Sequence, residues 1–312
     1  MVTMPRLFLI NVLLLCGLLA LQCAREIIID LPEEPSRIVV VGKFTTNDSF
    51  QVRVTLTQPI HDPGEIQAPA DANVTVAKEG ELYARLFRQT TPDGVIWKSK
   101  KPVEPDVAYT LNVQIGGYPL TSATSAVPKH INIKPININQ SEIILEQLSD
   151  GHQQLRIPLV LQLAVPLIAP LPEHLHFAFN LTSDINVGSQ PGGFTIERQQ
   201  AYFAVDGRTL SLLHNIPEKV VLINEKYWSE GRRTLYLDAL IPFKPEQEQY
   251  PVRLYVEWLT LSEEFYRYHL SVARQGSNLP LSEPDALFNN VINGYGNFSG
   301  YSTSTQTIDL PK

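Results

Sequence analysis

From residue 36 onward, apolar side chains recur at every second position, and this period of two constrains the fold more than any other feature of the sequence. Within residues 51–57, the apolar side chains Val52, Val54 and Leu56 alternate with polar ones. Such alternation places apolar residues on one face of a β-strand and polar residues on the other. The pattern therefore predicts a mainly β protein whose strands face water on one side.

Several further segments complete a set of strands in the first part of the chain. Residues 107–115 alternate in the same way and end at Gly116-Gly117, which predicts a two-residue hairpin. The run of β-branched residues at 37–42 predicts a strand covered on both faces. Two more strands are predicted at 73–76 and 82–87, and Pro92-Asp93-Gly94 predicts a turn. Short strands without an intervening helix predict a Greek-key β-sandwich over residues 36–129.

The second part of the chain, residues 130–312, is predicted to be a β-rich domain. Residues 131–139 alternate around Pro135, which confines them to an edge strand or a linker. Pro158 and Pro166 weaken the segment 154–165 as a central strand. The predicted strands lie at residues 154–165, 175–181, 201–205, 210–214, 219–224, 234–240 and 252–261.

One amphipathic helix is predicted near the C-terminus. Thr260 and Glu263 have the spacing of a capping box, and Glu263 and Glu264 suit the positive end of a helix dipole. Gly276 is predicted to end the helix. The side chains predicted to share its buried face are Leu261, Phe265, Tyr268 and Val272.

The amino terminus has the pattern of a targeting segment. Arg6 precedes a run at 7–22 that is apolar apart from Asn11 and Gln22, as in the h-region of a signal peptide. Cys23 follows directly, where a bacterial lipoprotein would be cleaved and acylated. We therefore predict a lipoprotein signal peptide at 1–22 and a lipidated Cys23 with a tether at 23–35. Because Gln22 replaces the small residue usual before such a cysteine, ordinary secretion stays open as an alternative.

Sulfur and charge exclude several classes of function. Both cysteines and both methionines lie within the first 23 residues, so a cleaved chain has neither zinc-binding nor nucleophilic cysteines beyond Cys23. The net charge is -7, and the longest basic stretch is the short segment 98–101. This charge pattern argues against nucleic acid as a partner.

Few residues nominate a chemical site. His174 and His176 have the i, i+2 spacing that would point both rings to one side of a strand, but a metal site is the less favoured interpretation, and two strand histidines at an edge are expected. No nucleophile motif occurs, and Gly294–Gly300 lacks the glycine spacing of a nucleotide loop. A glycosidase-like carboxylate pair would have to come from acids at strand ends. The acids considered are Asp206, Glu225, Glu230 and Asp238. We therefore predict no catalytic residue, no metal ligand and no cofactor.

The order of these features resembles a known family, the Bacteroidota lipoproteins described as domain of unknown function 4249. The resemblance begins at Cys23 and extends over nearly the whole chain that follows. The segments that carry it are residues 26–35, 38–42, 72–76, 109–113, 122–128, 264–268 and 293–301. It implies an outer-membrane lipoprotein with an N-terminal sandwich of the transthyretin or immunoglobulin-like type. It also implies genes placed beside TonB-dependent transporters, a lipid on Cys23, and a structural role for the glycines and aromatic residues near the C-terminus.

Three functions remain open at this stage. We expect a non-enzymatic accessory or binding lipoprotein, anchored in the outer membrane on its periplasmic or outer face, that assists TonB-dependent nutrient uptake. The first alternative is a surface hydrolase of glycans or peptides whose paired carboxylates the sequence does not reveal. The second is a structural or assembly subunit that binds partners by strand addition, for which residues 131–139 are the candidate segment.

Overall fold

The computed structural model describes residues 35–46, 48–59, 64–149, 151–165, 176–189, 193–216, 219–229, 232–275 and 286–311. The predicted signal peptide, Cys23 and all but the last residue of the predicted tether lie outside these ranges. Ser36–Lys312 form one compact unit. The fold is mainly β, as predicted, with three helices among the described residues rather than one.

Eighteen strands form in the described residues. They are β1 (Ile38–Phe44), β2 (Ser49–Leu56), β3 (Asn73–Lys78), β4 (Glu81–Thr91), β5 (Gly94–Pro102), β6 (Ala108–Gln114), β7 (Thr121–Ala126), β8 (Ile144–Gln147), β9 (Gln153–Gln162), β10 (His176–Ser189), β11 (Gly193–Gln200), β12 (Tyr202–Ala204), β13 (Leu213–Asn215), β14 (Val221–Ile223), β15 (Thr234–Phe243), β16 (Tyr250–Leu261), β17 (Val291–Ile292) and β18 (Gly294–Asp309). The helices are α1 (Gly207–Leu210), α2 (Glu225–Ser229) and α3 (Glu263–Gln275), with single 3₁₀ turns at Gln140–Glu142 and Pro245–Gln247.

Strands β1 to β7 enclose the first hydrophobic core. Their order in the sheet is β1-β2-β5-β4-β3-β6-β7. Strands β3, β4 and β5 follow one another as hairpins, and β6 returns beside β3, which is a Greek-key order. The core contains a cluster of aromatic side chains, with Phe44, Phe50 and Tyr109 in mutual contact.

The long strand β18 links this first core to the second half of the chain. Its first part pairs in parallel with β1, and its last part pairs antiparallel with β16. Phe298 on β18 is buried in the first core, stacked on Phe44 at 4.5 Å between ring centroids. Residues from the C-terminal end therefore complete the N-terminal sandwich. The predicted boundary between residues 129 and 130 stays a prediction.

The second half is a two-layer sandwich. One layer is a four-stranded sheet in the order β12-β15-β9-β8, and the other is the part of the long sheet built from β10, β16 and β18. Alternate residues of β9 and β15 face inward, including Ile157, Leu159 and Leu235. They pack in one core with Phe177 and Trp258 from the opposite layer. Both layers thus follow the period of two that the sequence displays.

The helix α3 forms where predicted, but its cap and buried face differ from the prediction. Thr260 lies within β16, and its hydroxyl accepts from the Ile131 N–H, so it cannot cap the helix. The Ser262 hydroxyl instead accepts from the Phe265 N–H at 3.3 Å. The buried face is Phe265, Tyr266 and His269 rather than the predicted stripe, whose members Tyr268 and Val272 are only half-buried. The predicted end at Gly276 lies outside the described residues.

Three strand predictions also need correction. β1 forms, but Val41 is 46% exposed, because the strand is central in a sheet with one face open to water. Gly116-Gly117 lie in the loop between the paired strands β6 and β7, but this loop has more than two residues. The predicted strand at 210–214 is divided, since α1 ends at Leu210 and β13 begins at Leu213.

The segment 131–139 is a linker between the two layers. Only Ile133 forms an isolated bridge, with Leu163. The Lys134 N–H donates to the Gln162 carbonyl, and the Ile136 N–H donates to the side chain of Gln306. The segment is therefore held by hydrogen bonds to other parts of the same chain. It is a linker rather than an edge strand, which is one of the two roles that Pro135 predicts.

Candidate functional site

The outer face of the four-stranded sheet has the features of a binding surface. Its side chains alternate with the buried ones of β9 and β15, and we call this surface the tyrosine face. The pairing of neighbouring strands sets the side chains of this face in rows. Tyr236 stands opposite Val160, and Tyr202 stands opposite Leu240. The tyrosine face comprises Arg156, Pro158, Val160, Tyr202, Tyr236, Asp238 and Leu240.

Two aromatic rings of this face project into water. Tyr202 is 59% exposed and Tyr236 is 67% exposed, and Val160 beside Tyr236 is also exposed. A tyrosine offers a rigid apolar ring with a polar tip, and such rings are enriched where proteins bind partners or ligands. Two such rings on one face, of which Tyr236 lines a shallow depression, therefore mark this face as a candidate binding surface.

A network of charges shares this face of the sheet with the two tyrosines. Arg156 on β9 is 2.7 Å from the Glu146 carboxylate and 3.4 Å from the Asp238 carboxylate. The Gln154 amide donates to the other oxygen of Glu146 at 2.8 Å. These pairs hold the Arg156 guanidinium between two carboxylates, which can accept hydrogen bonds.

A concavity of about 500 Å³ opens on this face. Asp206 and Asp238, two acids that the sequence nominates, both line it, together with Arg156 and Tyr236. They come together because β12 pairs with β15, with Ala204 opposite Asp238, and Asp206 follows at the end of β12. The sequence names both acids, and the strand pairing that joins them is a tertiary feature.

Asp206 has a structural role in this concavity. Its carboxylate accepts from the Thr209 hydroxyl and from the backbone N–H groups of Thr209 and Arg208, as an N-cap of α1. These hydrogen bonds, that from the Thr209 hydroxyl first, hold the pKa of the Asp206 carboxyl below its ordinary value. Asp206 is therefore an ionised carboxylate whose acceptor capacity is already largely used.

The other nominated residues do not join this site. Glu225 begins α2, and its backbone N–H donates to the Tyr266 hydroxyl. His176 is buried and stacks on the Tyr266 ring at 3.8 Å between centroids. His174 and Glu230 lie outside the described residues. Among the residues that are described, no group of three His, Cys, Asp or Glu side chains could hold a metal ion.

The long sheet contains a buried charge network whose residues the sequence pattern did not indicate. Asp184 on β10 is almost fully buried and accepts from Arg198 at 2.9 Å and from the Tyr255 hydroxyl at 2.6 Å. Arg198 first, and then Tyr255, hold the pKa of the Asp184 carboxyl below its ordinary value. The Arg198 guanidinium also lies over the Tyr255 ring at 4.0 Å. Because these groups satisfy one another, the network braces β10, β11 and β16 rather than offering a free ligand site.

A second concavity, of about 630 Å³, lies on the N-terminal sandwich. Arg53, Arg88, Glu65 and Asp93 line it, so charges of both signs are mixed there. The Arg53 guanidinium donates to the Asp93 carbonyl at 2.8 Å and thereby braces the β4–β5 turn. Since its lining has no aromatic side chain, the tyrosine face is the stronger candidate for ligand binding.

The fold and the tyrosine face together define a mainly β protein with an exposed aromatic surface. The chain belongs to the DUF4249 family, whose model, described as a domain of unknown function, matches residues 24–307. This finding confirms the resemblance of the sequence to domain of unknown function 4249, and the Bacteroidota origin and the lipid anchor stay predictions.

Other comparisons are distant. A search of curated proteins found no match. The chain is similar to the crystal structure of a DUF4785 family protein from Legionella pneumophila subsp. pneumophila, with 9% identity and a TM-score of 0.23. The match covers 72% of this chain and 52% of that one, so the chain spans about half the length of that protein. Within the described residues, no helix is both long and apolar enough to cross a membrane.

Proposed function

We propose that this protein is a lipid-anchored accessory protein of the outer membrane that binds a nutrient for a TonB-dependent transporter and has no catalytic activity of its own. The anchor is Cys23, and the transporter is suggested by the family resemblance. The observation that carries the proposed binding role is the tyrosine face, with Tyr202 and Tyr236 exposed on the same face as the ion pair of Arg156 and Asp238.

The chemistry of this face suits a ligand with both apolar and polar groups. Exposed tyrosine rings offer apolar faces, while Arg156 donates hydrogen bonds and Asp238 accepts them. The depression of about 500 Å³ is within the size range of sites for small molecules. The bound molecule would lie across the sheet and contact side chains of β9, β12 and β15.

A surface hydrolase is the second candidate, because Asp206 and Asp238 line one concavity. Hydrolysis of a glycosidic bond requires one carboxyl group that is protonated and one that is ionised. Asp206 is held ionised by the hydrogen bonds of its cap, and Asp238 is paired with a guanidinium. Since Asp206 already accepts three hydrogen bonds in its cap and Asp238 lies beside the guanidinium of Arg156, this arrangement favours binding over hydrolysis.

The proposed function is tested by deleting the gene and complementing the deletion. Growth on the nutrient of the neighbouring transporter should fall, and the wild-type gene should restore it. A double variant, Tyr202→Ala with Tyr236→Ala, should fail to restore growth at equal protein level. Tyr295→Ala is the matched control, because Tyr295 is also exposed but lies on β18.

The possible outcomes distinguish the role in nutrient uptake from the location of the binding site. Unchanged growth of the deletion strain on a broad panel of nutrients would refute the role in uptake. Equal rescue by the double variant would refute the tyrosine face while leaving the role in uptake intact. For the hydrolase candidate, purified protein is assayed on glycan and peptide substrates, and turnover that Asp238→Asn abolishes would replace binding with catalysis.

A further inference from the structure

Strand β11 presents a long open edge. It pairs with β10 over its whole length of eight residues. Gln200 stands opposite Thr182 at one end of the ladder, and Gly193 stands opposite Ser189 at the other. In the part of the chain that the structure describes, no strand pairs with its other edge. An unpaired strand edge is a template for another strand, because its N–H and C=O groups lack partners.

The other strands at the ends of the two sheets are much shorter. β8 has four residues, β12 and β13 have three each, and β17 has two. Short edge strands are one of the ways in which proteins prevent unwanted pairing. β11 lacks this protection and exposes an apolar side chain, since Ile196 is 65% exposed.

The hydrogen-bond pattern shows which backbone groups of β11 point outward. The Ala201 N–H donates to the Leu181 carbonyl at 2.9 Å, so residues 181 and 201 are a hydrogen-bonded pair. Hydrogen-bonded and non-hydrogen-bonded pairs alternate along antiparallel strands. The register then assigns the N–H and C=O groups of Ile196 and Arg198, and those of residues 194 and 200, to the open edge.

We propose that the open edge of β11 pairs antiparallel with β11 of a second copy of this chain. The two edges would meet around a two-fold axis and join two long sheets into one. An isologous contact of this kind requires a surface that is complementary to itself. The side chains of β11 satisfy this requirement in a register that brings no like charges together.

That register is centred on Ile196. With Ile196 opposite Ile196 of the partner copy, Glu197 stands opposite Thr195, and no like charges face each other. A shift that places Ile196 opposite Arg198 would set Glu197 against Glu197, which is unfavourable. Arg198 adds no free charge to the edge, because its guanidinium is bound to Asp184. Charge therefore favours the centred register over the shifted one.

Sedimentation equilibrium of the purified full-length protein tests this proposal. The wild-type protein should dimerise as its concentration rises. Ile196→Lys should weaken dimerisation by at least about tenfold, because two lysines would then face each other across the axis. Ile66→Lys is the matched control, since Ile66 is 68% exposed on the other sandwich. A wild-type chain that stays monomeric at every concentration refutes the second copy as the partner.

Disulfide formation tests the register independently. In the centred register, residues 195 and 197 of opposite copies are a non-hydrogen-bonded pair with Cα atoms about 4.5 Å apart, a distance that a disulfide can span. A mixture of Thr195→Cys and Glu197→Cys proteins should therefore form at least about fivefold more cross-linked dimer than either protein alone. The parent chain measures any linkage through Cys16 or Cys23. Equal linkage in all samples would overturn the proposed register.

Discussion

Gly296 is a position at which the contact between β1 and β18 leaves no room for a side chain. Its φ is +118°, and an added Cβ would lie 1.8 Å from the Val40 carbonyl oxygen. An alanine there would force the two strands apart by about 1.6 Å, if 3.4 Å is taken as the closest ordinary contact. N–H···O hydrogen bonds do not survive such a displacement. We therefore expect the parallel ladder between β1 and β18 to break near this residue.

The expected cost has two parts that can be separated. Strained backbone costs about 1–3 kcal/mol and overpacking costs about 1–3 kcal/mol, so Gly296→Ala should lower the free energy of unfolding by about 2–6 kcal/mol. Gly80→Ala carries only the backbone strain, because φ is +83° and nothing lies within 4 Å of the added Cβ. Gly300→Ala carries only the collision, at 2.3 Å from the Ala126 carbonyl oxygen.

Urea unfolding followed by tryptophan fluorescence measures these differences, since Trp97 lies in the core that β18 completes. The Tm of Gly296→Ala should fall by about 2–4 °C for each kcal/mol that is lost. Gly80→Ala should cost only the backbone strain, about 1–3 kcal/mol, without the further cost of overpacking. If Gly296→Ala unfolds within about 1 kcal/mol of Gly80→Ala, the close approach of β18 to β1 is not a determinant of stability.

Three further predictions concern the anchor, the buried network and the helix cap. Cys23→Ser should release the protein from membranes, and its persistence in the membrane fraction after a salt wash would show that Cys23 is not the anchor. Asp184→Asn should destabilise the protein by about 2 kcal/mol at pH 7, since charged hydrogen bonds are lost. Because the folded pKa of Asp184 is lowered, this difference should persist above the unfolded value of about 3.9 and vanish as the pH falls through the folded pKa; a difference independent of pH would contradict the argument. Ser262→Ala should cost about 1 kcal/mol in chemical denaturation, and no change would exclude Ser262 as the cap of α3.

The period of two was sufficient to predict most strands with one apolar face. It did not reveal β18, the longest strand, because this strand is rich in Gly, Ser and Thr rather than in β-branched apolar residues. Glycines stand where β18 approaches β1 and β7 most closely, at Gly294, Gly296 and Gly300, and Ser299 beside Gly300 is buried. The glycine-aromatic segment that begins β18 does have the structural role that the family resemblance implies, through the contacts of Gly296 and Phe298.

The first residue and the buried face of α3 could not be predicted from the apolar pattern of the helix itself. The apolar pattern includes Leu261 in the stripe of the helix, but Leu261 ends β16 and the helix begins two residues later. Tyr266 and His269 are buried because of contacts from elsewhere in the fold or along the helix, where His176 stacks on Tyr266 and Phe265 lies against His269. The stacking partner of Tyr266, His176, is distant in sequence, and no local pattern of the helix encodes that contact.

The tyrosine face illustrates the same limit for the site. Alternation predicts that one face of the segment 234–240 is open to water, but it does not distinguish a solvated face from a binding face. Tyr202 lies on a strand of three residues, and its relation to Tyr236 follows only from the pairing of β12 with β15. The acids of the concavity could be named from the sequence, whereas their convergence depends on that pairing.

Strand β18 also changes what the two predicted domains can be. Residues 36–129 contain β1 but not the strand that pairs with its other edge, and they lack Phe298, which stacks on Phe44 in the first core. The last part of the same strand pairs with β16, in the layer of the second sandwich that belongs to the long sheet. A strand that belongs to both sandwiches requires the C-terminal residues to be in place before either half is complete. The two cores thus consist of different residues, but β18 contributes to both sandwiches. A substitution that displaces β18 should therefore destabilise both.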